Sequence, residues 1–364
     1  MNKKLLTAAI GAALAAGPML AQADVKLFGK VHMSVDYLDG AAATQPHSGK
    51  ATTVSSNASR WGLSISEKLG GGMTAIAKLE QSIDASGETA TQGVRNRYVG
   101  LKGKFGQVLA GAHDTPLKEI SRTVELFPEY VGDARNIVAA GGSGWDLRTP
   151  NSVRYNTPSF NGFSGNYQYS ADATATTGVE DNRRRVDSFG VKYAKGPLYV
   201  AYARESHRVG IAAATTYDQV SETGDRLGAS YNFGAFKLVA MWQDVKDLGG
   251  VKSGNSSIKR KSWGVGGAFT AGNNVFKAQY YKAGTTNNTA GTSTDGSGAK
   301  MWALGWDHLF SKTTKAYVAY AKTDNDSAAT FTVNGDGDGT HGDRVTPGAG
   351  GDPSVWSVGM IVDF

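Results

Sequence analysis

The stretch VWSVGMIVDF, residues 355–364, alternates in character. Trp356, Val358, Met360, Val362 and Phe364 are apolar or aromatic, and Ser357, Gly359, Ile361 and Asp363 lie between them. Side chains of a strand repeat every two residues, so the first set faces one way and the second the other. One face is greasy. The other is small, mostly polar and carries a charge. A half-buried strand in a soluble sheet has the same pattern, so the rest of the chain must decide.

The period of two recurs along the chain, and no helical period holds over a long stretch. In VKLFGKVHMSVDY (25–37), Val25, Leu27, Gly29, Val31, Met33, Val35 and Tyr37 oppose Lys26, Phe28, Lys30, His32, Ser34 and Asp36. Leu227, Ala229, Tyr231 and Phe233 oppose Arg226, Gly228, Ser230 and Asn232. Phe189, Val191 and Tyr193 oppose Ser188, Gly190 and Lys192. Trp263, Val265, Gly267 and Phe269 oppose Ser262, Gly264, Gly266 and Ala268. Trp302, Leu304 and Trp306 oppose Ala303 and Gly305.

The connections alternate in length. Tight turns fall at LGGG (69–72), KFGQ (104–107), FNGF (160–163), KGP (195–197), FGA (233–235), AGN (271–273) and FSK (310–312), with the small polar residues hairpins use. Between them lie long polar segments, at 38–56, 84–94, 114–150, 171–185, 209–222, 247–258, 284–298 and 324–352. Seven turns and eight loops connect sixteen strands, and both ends of the sheet fall on the short-turn side, where they can pair. Short turns at one end and long loops at the other is the arrangement of a transmembrane barrel. A soluble sandwich or propeller predicts no such alternation and fills its inner face with large residues. Here the inner parity carries Gly, Ser, Arg and Lys, which suits a wet interior. In lipid every backbone polar group must be paired within the protein, and closure is the sheet's way of doing so. The expectation is an all-β chain: a 16-stranded antiparallel transmembrane β-barrel with short periplasmic turns and long external loops. Sixteen strands leave an aqueous channel.

Composition agrees. Mean hydropathy is −0.31, as expected when every second residue faces water. The chain has 48 glycines, 9 prolines and no cysteine, which excludes disulfides, thiolate metal sites and a cysteine nucleophile. The N-terminal segment has a basic start (Lys3, Lys4), the apolar run LLTAAIGAALAAGPML (5–20) and AQA at 21–23. That is the pattern of a secretory signal peptide over 1–23, with cleavage expected before Asp24 and a barrel domain over 24–364. A membrane anchor is the alternative, but the run is short and broken by Pro18. The formal net charge of +6 becomes mildly basic without Lys3 and Lys4. It suits anionic partners, and no basic run interleaved with aromatics argues for nucleic acid.

An ordered set of motifs goes further. The strand VKLFGKV, then SRWGLSISEKLGGGMTAIAKLEQ (59–81), RNRYVGLKGKFGQVLAGAHDTP (95–116), NSVRYNTPSFNGFSGNYQY (151–169) and the final GMIVDF resemble the general porins of Gram-negative bacteria, of the neisserial and beta-proteobacterial type. The resemblance runs the length of the mature chain. It implies a homotrimer of barrels in the outer membrane, bound by its lipid, each with its own pore, with a third long loop folded into the barrel. It also implies that the terminal Phe364 belongs to the signal read by the assembly machinery. His113, in GAHDTP, stands where the family usually has arginine or another polar residue.

A channel's chemistry is width and field: charged groups at a constriction concentrate the opposite ion. The candidate loop is 114–150, the longest insertion, in which Leu117, Ile120, Val124 and Leu126 fall at loose helical spacing, as an inward-folded loop needs. Its acids are Asp114, Glu119, Glu125, Glu129, Asp133 and Asp146, and its bases Lys118, Arg122, Arg135 and Arg148. On the wall, Arg60 opposes Trp61 and Leu63, Lys78 opposes Ala77 and Leu79, and Arg154 opposes Val153 and Tyr155, so all three face the lumen. The resemblance also places basic wall residues at Arg60 and Arg154. Near RNRYVGL the parity is ambiguous, so Arg95 and Arg97 both stand as candidates. The expected constriction sets Arg60, Lys78, Arg95, Arg97 and Arg154 against Glu119, Glu125, Glu129, Asp133 and Arg135 of the loop, with a strong transverse field and a mild preference for anions.

Other signals are weaker. Asn334, Asp336, Asp338 and Gly339 start like a calcium loop, but Val345 stands where the bidentate acid belongs. The six histidines, His32, His47, His113, His207, His308 and His341, show no ligand spacing. GGSGW (141–145) lacks the spacing of a nucleophile elbow. The expectation is a passive diffusion channel without enzyme activity, cofactor or metal. The alternatives are a substrate-selective channel, a barrel hydrolase using His207 or His308, and a plugged anchor or adhesin.

Overall fold

A computed structural model describes residues 23–40, 49–88, 92–140, 144–173, 185–209, 220–248, 252–253, 256–287, 293–334, 345 and 347–364. Sixteen long strands form the wall. They are β1 (Asp24–Asp39), β2 (in two pieces, Lys50–Ser56 and Arg60–Gly70), β3 (Met73–Ser82), β4 (Val94–Gly103), β5 (Gly106–Asp114), β6 (Arg148–Asn156), β7 (Phe163–Ser170) and β8 (Val186–Lys195). The second half has β9 (Leu198–Val209), β10 (Val220–Phe233), β11 (Phe236–Lys246), β12 (Lys259–Ala271), β13 (Asn274–Ala283), β14 (Ala299–Leu309), β15 (Thr314–Asn325) and β16 (Ser354–Asp363). Each pairs antiparallel with its sequence neighbours. The sheet closes where β16 pairs with β1, from Lys30 opposite Asp363 to Asp39 opposite Ser354. Two two-residue strands, Thr286–Asn287 and Ser293–Thr294, extend the sheet into one long loop, and Lys252–Ser253 pairs with Ser256–Ser257 in another.

The expected faces are observed. Trp356, Val358, Met360, Val362 and Phe364 are exposed on the outer surface, whereas Val355, Ser357 and Ile361 are buried. Phe233, Phe236, Phe269, Phe276, Trp306 and Phe310 are exposed toward the short-turn end, and Trp242, Trp263 and Trp356 toward the loop end. These are the two aromatic belts of a membrane barrel. The seam is tight at its base. The Gly29 N–H donates to the Phe364 carbonyl at 2.8 Å, the Phe364 N–H donates back at 3.0 Å, and the Phe364 ring fills the space a Cβ on Gly29 would need.

All seven tight turns and all eight long connections fall where the alternation placed them. One boundary differs. The segment 38–56 was expected to be loop throughout, but β1 runs to Asp39 and pairing resumes at Lys50. The sequence break there is a kink at Asn57–Ser59, where Ala58 takes a φ of +53°. The Asn57 N–H donates to the His32 carbonyl at 2.8 Å, and the Ser59 hydroxyl accepts from the His32 N–H at 3.0 Å. Local hydrogen bonds thus repair the ladder. The leader segment lies outside the described residues up to position 22.

The segment between β5 and β6 turns inward. It starts with helix α1 (Pro116–Val124), capped by the Thr115 hydroxyl, which accepts from the Lys118 N–H, with Pro116 at the first turn. A short helix α2 (Arg135–Val138) follows. Leu117, Ile120, Val124, Phe127, Tyr130, Ile137 and Trp145 are all at most 3% exposed. They pack on the inner wall of the second half of the barrel, and this is where the chain's apolar core sits. Glycines receive them: a Cβ on Gly228 would lie 2.4 Å from the Ile120 side chain, and one on Gly224 2.5 Å from the Trp145 ring. Gly224, Gly228, Gly266 and Gly305, on the face expected to line water, are instead sockets for the loop.

Candidate functional site

Burial alone does not seat the loop, because its backbone also needs partners. The wall supplies them. Arg226 donates to the carbonyls of Leu117 at 3.0 Å and Trp145 at 2.6 Å, tying both ends of the loop to β10. Gln243 donates to the Val138 carbonyl at 2.8 Å. Gln279 accepts from the Leu126 N–H at 3.0 Å and donates to the Gly132 carbonyl at 2.7 Å. These hooks were not singled out from the sequence. Arg226 lay on the inner parity, but its role depends on a contact 109 residues away in the chain.

So anchored, the loop presents its charges to β1–β7. Glu129 receives three cations: Arg60 at 2.8 Å, Arg122 at 2.8 Å and Lys30 at 3.2 Å. Its backbone sits at a φ of +68°, a left-handed conformation that costs a non-glycine residue about 1–2 kcal/mol. The Glu129 N–H donates to Asp133 at 2.8 Å. Burial pushes the Glu129 carboxyl up, but Arg60, Lys30, Arg122 and Arg95 outweigh it and hold it at about 2. Asp133 is held well below the usual carboxylate range: burial opposes this, and Arg135, 2.6 Å away, and Arg122 dominate. Glu125 goes the other way. Burial and the neighbouring Asp133 charge raise it well above the carboxylate range, more than Arg122 and Arg135 lower it. Two adjacent buried acids cannot both ionise. Glu125 keeps the proton and Asp133 the charge.

Of the expected wall residues, the structure brings together Arg60, Lys78 and Arg95. All three converge on one acid: Arg95 lies 2.8 Å, Lys78 3.1 Å and Arg60 3.4 Å from Glu80. Arg154 stands apart from them and clamps Glu119 with two bonds, at 2.7 and 2.8 Å. Arg97 does not join. It pairs across the sheet with Leu79, and Val99 is on its side of β4. Leu79 and Val99 are exposed on the outer surface, so Arg97 is outward-facing. The ambiguity arose from an irregularity in register between Leu79 and Gln81 that turns Arg95 in and Arg97 out. The expected acidic rim needs the same correction. Glu129, Asp133 and Arg135 do reach the interior, but as closed ion pairs rather than as free charge facing a free basic wall, and Glu125 reaches it as a hydrogen-bond acceptor for Arg122 and the Ala134 N–H.

Three residues of the cluster were overlooked. Glu80 shares the parity of Lys78 and could have been read from it. Lys30 lay on the lumen face of the first strand. Arg122 was one base among the loop's charges, and only the fold shows that it points at the wall. Between this cluster and Arg154 lies an open basin of about 580 Å³, lined by Lys78, Asn96, Tyr98, Glu119, Arg122, Arg154, Lys192 and Tyr199 among others. His113 borders the basin too, stacked on Tyr98 with ring centres 5.0 Å apart.

The histidines can be placed as well. His207 lies 2.8 Å from Glu205 and 3.6 Å from Glu222 and stacks on Trp145. It is 2% exposed, sealed under the loop. His308 bonds Asn274 at 2.9 Å beside Trp306, at the outer surface. The Asp- and Gly-rich stretch 335–344 lies outside the described residues, and among those described no cluster of acids and histidines has the geometry of a metal site.

Comparison with known proteins bears on the whole architecture. Residues 6–328 match the family described as Gram-negative porin. The outer membrane porin protein 32 of Delftia acidovorans is 31% identical over 350 residues, covering 93% of each chain. The major outer membrane protein P.IB of Neisseria gonorrhoeae is 28% identical, covering 85% of this chain and 91% of its own. Among solved structures, an anion-selective porin from Comamonas acidovorans superimposes with a TM-score of 0.75 at 28% identity, over 94% of this chain and all of that one. A closed sixteen-stranded wall, two aromatic belts, an inward loop and these matches together make the chain a member of the Gram-negative porin family, an outer-membrane channel for ions and small hydrophilic solutes.

Proposed function

We propose that this channel passes anions in mild preference to cations, that its narrow point is the ring formed by Lys30, Arg60, Lys78, Arg95 and Arg122 with Arg154 and Glu119 across the basin, and that it catalyses no reaction. One observation carries the reading: four of the ring's bases face water and the acids that hold them do not. The side chains of Lys30, Arg60, Lys78 and Arg122 are 20, 19, 27 and 24% exposed, while Glu129, Glu80 and Glu125 are 2, 4 and 0% exposed. The exceptions are Arg95 and Arg154, 9 and 8% exposed, and the acids Glu119 and Asp114, 39 and 23% exposed. A passing ion therefore meets ammonium and guanidinium groups first. A unit charge about 4 Å from another in water is worth about 1 kcal/mol. That biases ion traffic about fivefold, which is a preference and not a filter. Buried Glu129 and Glu80 hold the bases in place without cancelling their outer field. The similar porin from Comamonas acidovorans is anion-selective, which supports this sign.

The same reading includes a homotrimer, removal of residues 1–23 on export, and a part for Phe364 in assembly. The exposed terminal ring and its seam with Gly29 support the last. Purified protein in a planar bilayer tests the channel reading: ohmic current steps in groups of three are expected. In a potassium chloride gradient the reversal potential should carry the sign of chloride permeability. A cation-signed potential would overturn the selectivity. An N-terminal sequence of the mature protein should begin at Asp24.

A further inference from the structure

A second basin lies on the other side of the loop. It is a cavity of about 400 Å³ at the short-turn end of β10–β15, roofed by Glu125, Leu126, Pro128 and Tyr130. Three lysines line it: Lys237 of β11, Lys277 of β13 and Lys315 of β15. Each follows a short turn within a few residues, so the three reach the same height. Their neighbours fix their direction. Phe236, Leu238 and Phe276 are exposed on the outer surface and Tyr317 is buried within, so all three ammonium groups are on the lumen parity.

The charges in this basin do not balance. Asp307 takes Lys277 at 2.9 Å and Lys315 at 3.2 Å, and it also accepts from the Tyr130 hydroxyl at 3.2 Å. Lys277 lies 3.7 Å from the centre of the Tyr130 ring. One carboxylate thus serves two ammonium groups. Among the described residues Lys237 has no ion-pair partner at all. Glu125, the other carboxyl group lining the basin, is bonded to Arg122 and the Ala134 N–H instead. The basin therefore has more ammonium groups than carboxylates to pair them, in a concave site large enough for a small organic or inorganic ion.

We infer that this basin binds a small oxyanion carrying two negative charges, a phosphate or a dicarboxylate, on the periplasmic side of the narrow ring. The unpaired Lys237 and the two lysines that share Asp307 can between them hold an oxyanion with two negative oxygens. Lysines, as mobile point charges, suit an ion that binds and leaves. The half-exposed Lys315 and Lys237 are positioned to take the ligand, while Lys277 is fixed by Asp307 and Tyr130. The site rests on the anion reading in one respect only, that anions traverse the lumen, and it is a different place from the ring.

The test uses the full chain folded in detergent and inorganic phosphate as the probe, at neutral pH. Equilibrium dialysis should show one saturable site per chain. Lys237→Ala should weaken it about tenfold, and Lys237→Arg, which keeps the charge, should restore it to within about threefold. Lys237 makes no ion pair, so its removal leaves the barrel intact, as heat-shifted gel mobility will verify. Arg60→Ala with Arg122→Ala should leave phosphate affinity within about twofold. The inference is overturned if wild-type protein shows no saturable site, if Lys237→Ala binds as the wild type does, or if binding disappears only with the ring variants. The reversal potential of the wild-type channel decides the anion reading independently of every one of these results.

Discussion

The two halves of the inner wall differ. From β1 to β7 the lumen face carries Lys30, Arg60, Lys78, Glu80, Arg95 and Arg154, and from β9 to β15 it carries Ala201, Ala203, Gly224, Gly228, Gly264, Gly266, Ala303, Gly305, Ala319 and Ala321. The first half faces water. The second is covered by the loop, whose Leu117, Ile120, Val124, Phe127 and Trp145 lie against it. Glycine weakens a strand by having no side chain to pack and by its freedom in the unfolded chain. Here that loss is offset by the loop's apolar side chains, each contributing about 1.5–3 kcal/mol when buried. Small residues on a lumen face therefore mark where the loop's apolar side chains pack, while the charged residues of that half, such as Arg226, sit buried as the loop's hydrogen-bond partners.

Removing charge from the open half should have the largest effect on function. Arg60→Ala together with Arg122→Ala takes away two water-facing positive charges and leaves Glu129 with Lys30 alone. At about 1 kcal/mol each, the loss shifts the ratio of anion to cation permeability by more than tenfold. The reversal potential in a salt gradient should cross zero and become cation-signed. If it keeps the anion sign, the ring is not what selects.

Crowding the covered half should act on structure first. In Gly228→Leu the new side chain meets Ile120 and Val124. Overpacking of this kind costs about 1–3 kcal/mol, and the loop shifts to relieve it. Single-channel current should become noisy and the heat-induced gel shift should move to lower temperature. Gly267→Leu is the matched control, because Gly267 lies on the outer face and a Cβ there meets nothing closer than 3.5 Å. Equal damage from both would mean that glycine is needed for the strands and not for the loop.

This comparison also explains what the sequence revealed. Strand number, turn positions, the outward face and the loop's helical spacing were all legible, because each rests on local periodicity or on residues a few positions apart, whereas the loop's inward course was implied by the family resemblance. Arg60, Lys78 and Arg154 were legible by parity. Arg97 was not, because a shift of one residue in pairing reverses every side chain beyond it, and that shift depends on the neighbouring strand. The glycine sockets failed for another reason. Parity says which way a residue points but not whether water or a loop meets it there. The same gap made the loop's acids look like free field when they are the closed half of ion pairs.

The smallest effects separate two acids of that loop. Glu129 titrates at about 2, below the 4.5 of an unperturbed glutamate. A carboxyl depressed on folding stabilises the fold above its unfolded pKa, and that contribution is lost as pH falls through the folded one. The seat of the loop on Lys30, Arg60 and Arg122 should therefore hold at neutral pH, weaken below about 4.5 and fail near 2. Channel noise recorded across that range reads it. Glu129→Gln should lower stability by about 1–3 kcal/mol, shift the gel midpoint down and flatten the acid response. Glu125 has the opposite sign: burial and the Asp133 charge raise it on folding, so acid does not remove a stabilising charge there. Glutamine has the same size and the same lack of charge, so Glu125→Gln should change stability by less than about 1 kcal/mol. Its acceptor oxygens serve Arg122 and the Ala134 N–H, and glutamine keeps one of the two. If Glu125→Gln proves as damaging as Glu129→Gln, both acids are ionised. The loop would then contribute one more negative charge than assigned here, and the positive excess of the ring and of the lysine basin would shrink by that charge.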